Sequence, residues 1–148
     1  MRNRIRWLYP TTFAARDDGA AAVEFAILAP VMIVAFSGIV GYGMALLDEM
    51  DLVSATRSGA QLALIDSSDT SAIQNAVVAA TGLGITTSDV TTTEFCECAD
   101  GSTVTCGLTC SDGSDNRYFM TITATFDHTI FLIGNTVTLT GSTTVRTR

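Results

Sequence analysis

Lysine is missing altogether from these 148 residues, and the chain has one histidine, one tryptophan and two prolines. Eight arginines therefore face fifteen carboxylates. No stretch after residue 50 is basic, which excludes the positive footprint that a nucleic acid or an anionic lipid surface requires. The lone histidine, His128, follows Asp127 with no nucleophile suggested nearby, so it takes the reading of a strand-end residue rather than a catalytic one. There is no Walker or Rossmann fingerprint. Asp112, Asp115 and Asn116 lack the spacing and closing glutamate of an EF-hand and read as turn residues. Nothing in this inventory calls for an enzyme, a cofactor, a metal or a nucleic-acid partner.

What the chain does have is one long apolar run. Ala20 to Leu47 holds a single charged residue, Glu24. About 20 apolar residues suffice to span a bilayer core. A secretory signal would have an apolar core of only about 7 to 15 residues, so the segment reads as a retained transmembrane helix rather than a cleaved signal. Arg2, Arg4, Arg6 and Arg16 precede it, and Asp48, Glu49 and Asp51 follow it. That asymmetry places the N-terminus in the cytoplasm and the last hundred or so residues across the membrane.

The helical pattern continues past the apolar run, with Met50, Val53, Ala60 and Leu64 on one stripe that Arg57 interrupts, until Asp66-Ser67-Ser68-Asp69 stops it. A helix from Ala20 to Ile65 would be roughly 69 Å long, about half of it beyond the membrane. Pro30 cannot donate to the carbonyl of Ala26, so a kink is expected there. A second, short helix begins near Ser71, which forms a capping-box pattern with Gln74, and ends at Gly82 and Gly84. Beyond it, Tyr118 to Asp127 and Thr136 to Thr147 alternate as strands around a Gly134-Asn135 turn, and a weaker strand lies near Val90 to Cys98. The expected fold is α+β: a membrane-spanning helix, then a small domain with a short helix and an antiparallel sheet of about three strands. Domain boundaries fall at 1–19, a basic leader; 20–65, the long helix; and 66–148, the distal domain.

Cys96, Cys98, Cys106 and Cys110 crowd together in the distal domain. An even count in an exported chain favours two disulfides, and small cores need such staples. Zinc is the competing reading, but paired C-x2-C knuckles are absent. Three pairings are possible, and spacing does not choose among them.

The most informative residues stand at the head of the apolar run. A carboxylate inside a membrane helix costs about 2.5–3.5 kcal/mol on insertion scales and needs a partner. Were the chain cut after Gly19, Ala20 would carry a free α-amine on the same helix face as Glu24, four residues away. Without a cut, Glu24 would have to snorkel to the interface.

Gly19, four residues, Glu24 and then the aromatic Phe25 resemble the cleavage site of type IV-type prepilins. The fuller string from Asp18 to Pro30, D-G-A-A-A-V-E-F-A-I-L-A-P, is similar to TadE-like proteins, the minor pseudopilins of the tight-adherence (Tad/Flp) pilus system. Ala55-Thr56-Arg57-x-Gly59-Ala60 and the Thr-rich strands are similar too, with less specificity. The resemblance implies that a prepilin peptidase cuts between Gly19 and Ala20 and that Glu24 and Phe25 serve processing and assembly. It further implies a single-pass inner-membrane protein with a periplasmic domain, and pilin subunits, other pseudopilins and the assembly platform as partners. The cysteine cluster departs from any common pattern of these proteins. Two other readings stay open: an assembly factor outside the fibre, and an uncleaved membrane-anchored binding module using the cysteine loop.

Overall fold

A computed structural model describes residues 18–130 and 134–148. Most of the expected leader, residues 1–17, therefore lies outside the described residues. By its internal contacts the chain divides into two units, one ending at Ser37 and the other running from Gly38 to Arg148.

The first helix, α1, spans Asp18–Ala63 and is continuous through Pro30. In the first unit its apolar side chains lie open, Phe25 at 72 % and Ile27 at 69 % exposure. An apolar helix on which no described residue packs is what a lipid environment would surround. From Gly38 onward α1 belongs to the globular unit, where one of its faces, Leu52, Ala55, Thr56, Ala60 and Ala63, is buried. The helix ends two residues before the expected Ile65, with Asp66 accepting from both the backbone N–H and the hydroxyl of Ser68.

The second helix, α2, runs Thr70–Ala80 and buries Ile73 and Val77. Its cap differs from the expected box. Asp69 accepts from the N–H of Ala72, and Gln74 instead donates to the carbonyl of Val90, tying α2 to the sheet. Aspartate and serine cap about equally well, so position decides. Asp69 stands one residue ahead of the first helical position, where its carboxylate meets the free N–H groups. A one-turn 3-10 helix, Thr87–Asp89, leads into the sheet.

The strands are β1 (Val90–Glu97), β2 (Thr103–Val104), β3 (Arg117–Ile130) and β4 (Asn135–Arg146). They form one antiparallel sheet in the order β2-β1-β3-β4. The expected α+β class with an antiparallel sheet holds; the addition to the three expected strands is the two-residue β2, too short to leave an alternation signal. Residues opposite one another in an antiparallel ladder share a face. The inner face carries Val90, Met120, Ile122, Ala124 and Leu139, all buried with α1 and α2 residues in one core. The outer face is largely threonine, with Thr93, Thr121 and Thr144 in register and Phe95 stacked on Phe119 at 5.4 Å. Gly134, with φ +67, stands at the end of the turn before β4.

Candidate functional site

The head of α1 holds the residues singled out in the sequence. Gly19 and Ala20 lie in its first turn, Glu24 and Phe25 one turn further, and Pro30 beyond them, each of these residues exposed. The Glu24 carboxylate takes no hydrogen bond from any described residue, and it shares a helix face with position 20. Nothing in the first unit beyond helical geometry brings Gly19, Ala20, Glu24, Phe25 and Pro30 together. This is an open helix surface rather than a pocket.

Where α1 passes through the globular unit, contacts with the sheet begin at Gly41, beside Ile130, and Ala45 is already buried. Protein covers only one side of the last turns of the apolar run, since Tyr42, Met44, Leu46 and Leu47 stay more than half exposed. The 21 residues from Ala20 to Val40, ahead of this one-sided packing, make about 31 Å of helix, enough on their own to cross a hydrocarbon core.

Three polar links then tie α1 to its neighbours. Asp48 Oδ2 lies 2.7 Å from Nδ1 of His128 on β3. Asp51 accepts from the hydroxyl of Thr81 at the end of α2, 2.7 Å away. Thr56, fully buried, shares a 2.8 Å hydrogen bond with Thr143 on β4 and also donates to the carbonyl of Val53. Sequence reasoning uses Asp48 and Asp51 only as flanking charge and leaves His128 without a partner. Their pairing depends on which strand faces the helix, which no local pattern records. Opposite this packed face, Leu46, Glu49, Met50, Val53, Ser54 and Arg57 line a shallow concavity on the outward side of α1.

The four cysteines form Cys96–Cys106 and Cys98–Cys110. Of the three pairings open to the sequence, the fold adopts the interleaved one. The loop between them is held by aspartates at its turns. Asp100 accepts from the N–H and hydroxyl of Ser102, and Asp112 does the same with Ser114. These bonds hold both carboxyls below their ordinary value, as Ser68 and Thr86 do for Asp66 and Asp89. Asn116 donates to the carbonyl of Leu108, steadying the loop tip. Among the described residues no group of three or more His, Cys, Asp or Glu side chains could hold a metal.

Among the described residues one helix is long and apolar enough to cross a membrane, and it is followed by a disulfide-stapled α+β unit, the arrangement of a single-pass membrane anchor. Residues 19–61 match the family described as TadE-like protein, and the chain is TadE-like over that segment. The match begins at Gly19 and ends within α1, so it takes in the helix head and most of the face that packs on the sheet. No curated protein and no solved structure matches the chain.

Proposed function

We propose that this protein is a minor pseudopilin that takes part in assembling a Tad-type pilus after a prepilin peptidase removes residues 1–19. The observation that carries the reading is the TadE-like match starting at Gly19, on a helix whose exposed head bears Glu24 as the one charge of the apolar run. The leader stays in the cytoplasm and the globular unit faces the periplasm, a placement supported by the arginines before the span and the acids after it. Gly19 lies in the first helical turn, where the backbone bonds are fewest and fraying is cheap, so the scissile bond can open toward a peptidase.

Cleavage gives Ala20 an α-amine that is mostly protonated at neutral pH, and Glu24, one turn away or on a neighbouring subunit, pairs with it. Phe25 adds the adjoining aromatic contact, and Pro30, unable to donate to Ala26, lets the helix bend to fit its neighbours. Lipid tails are as apolar as leucine, so close packing and this charge pair, rather than hydrophobicity, drive docking to pilin-like helices. On the globular unit, the outward concavity around Met50 and Val53 offers a separate place for a neighbouring helix.

The decisive measurement is the N-terminal residue of the mature protein isolated from its native membrane. A start at Ala20 is expected; a start at Met1 would remove the amine partner and favour an uncleaved anchored binding module. Glu24→Gln should leave insertion intact and reduce processing or pilus formation at least several-fold. Normal piliation in that strain would dispose of the charge pair.

A further inference from the structure

Both bridges join cysteines that are not neighbours in sequence, and their loops interleave. In an unstructured chain, contact frequency falls roughly as the three-halves power of separation. The two closest pairs, Cys96 with Cys98 and Cys106 with Cys110, are both non-native, and each lies far nearer in sequence than Cys96 and Cys106, whose separation is 10. Cys98 and Cys106 likewise meet about 1.8 times as often as Cys98 and Cys110, whose separation is 12. Each of these early bridges blocks both native ones at once, because each takes one cysteine from both. Little in the backbone counteracts this bias. The pairing that carries Cys106 toward Cys96 is the two-residue β2, with Val104 opposite Cys96.

Cys106 belongs to two of these misbridged species, and in the third, Cys96–Cys98, it is the thiolate that must attack Cys96 to reach the native bridge. In the folded unit it is also the one exposed cysteine; Cys96, Cys98 and Cys110 retain 1 %, 4 % and 5 % exposure. We propose that the native pairing is reached by thiol–disulfide exchange at Cys106, and that this sulfur is where a thiol–disulfide isomerase engages the chain. A partner thiolate attacks Sγ of Cys106 in the Cys106–Cys110 bridge; that S–S bond breaks and Cys110 leaves as a thiolate. The Cys96 thiolate then attacks the mixed disulfide at Cys106, forming Cys96–Cys106 and releasing the partner thiolate unchanged. This exchange needs no oxidant. Closing Cys98–Cys110 gives up two electrons and two protons to a disulfide-bearing oxidant such as oxidised glutathione.

The test uses the full chain in detergent micelles, reduced and denatured, then returned to folding conditions with oxidised glutathione alone or mixed with reduced glutathione. Trapped bridges are mapped by mass spectrometry. With oxidant alone, Cys96–Cys98 and Cys106–Cys110 together should exceed Cys96–Cys106 severalfold among the first bridges, and added reduced glutathione should convert the population to the interleaved pairing. Full native pairing at the same rate with and without added reduced glutathione would overturn the inference. A second arm treats the folded chain with limiting dithiothreitol followed by alkylation. Cys96 and Cys106 should be labelled before Cys98 and Cys110; the reverse order would remove Cys106 as the point of attack. An isomerase as partner in the cell rests on the periplasmic placement proposed above. Alkylation of freshly lysed cells tests that placement separately: four free thiols there would overturn the placement, whereas the refolding arms alone decide the exchange.

Discussion

Replacing Gly141 with alanine should destabilise the globular unit far more than its size suggests. Gly141 is buried on the inner face of β4, directly against α1. A Cβ built there would lie 2.6 Å from the Leu52 carbonyl carbon, 2.7 Å from its Cβ and 2.8 Å from the Val53 nitrogen. Carbon atoms prefer about 3.5–4.0 Å, so helix and strand would have to separate by about 1 Å. The obstructing atoms belong to helix backbone or are fixed to it, and no side-chain rotation relieves them. Overpacking of this kind costs about 1–3 kcal/mol, and the upper end applies when backbone must move. Alanine gains back about 0.5–1 kcal/mol because glycine is a poor strand residue. The net loss is about 2 kcal/mol, or about 8 °C in Tm for a unit of this size. Thermal unfolding of the full chain in micelles, followed by circular dichroism, measures it. Gly82→Ala is the control, since a Cβ there meets nothing within 4 Å. A Gly141→Ala protein melting within about 2 °C of the parent, or above it, would refute the contact geometry on which the estimate rests.

Thr56→Val should cost about 1–3 kcal/mol by leaving the Thr143 hydroxyl without its partner, and the double variant Thr56→Val/Thr143→Val should recover part of that, which a double-mutant cycle on Tm will read. Acid should weaken the globular unit. The carboxyls of Asp66, Asp69, Asp89, Asp100 and Asp112 are held low, chiefly by hydrogen bonds from Ser68, Ala72, Thr86, Ser102 and Ser114 respectively. Their contribution is complete above the ordinary carboxylate range and is lost as pH falls through their lowered values. Denaturant midpoints should therefore drop below about pH 4, and an unchanged midpoint there would deny these turns any role in stability.

The parts legible in the sequence are those written in one segment at a time. The apolar run from Ala20, the period-2 pattern of Met120, Ile122 and Ala124, and the even cysteine count each report on their own surroundings. In β4 the same pattern fades after Leu139, because the next inward positions are Gly141 and Thr143. Their identities are set by the helix lying on them, and not by the strand. The Asp69 cap is hidden among Asp66, Ser67, Ser68, Thr70 and Ser71, all of them capable of capping something. The disulfide pairing is illegible because it depends on how β1 and the following loop meet. The candidate site at the helix head is the reverse case: Gly19, Glu24 and Phe25 stand out in sequence, while the fold adds only that they lie on an open helix.

The three polar links along α1 have a mechanical meaning. Asp48, Asp51 and Thr56 project in different directions around the helix, toward β3, the end of α2 and β4. At 1.5 Å and 100° per residue, no slide or turn of the helix by a single position can preserve even one of these bonds in its present partnership. The three links fan over about 140° of the helix, so together they fix both its depth and its angle against the sheet. Motion imposed on this stretch of α1 must either carry β3, β4 and α2 along with it or break all three links together.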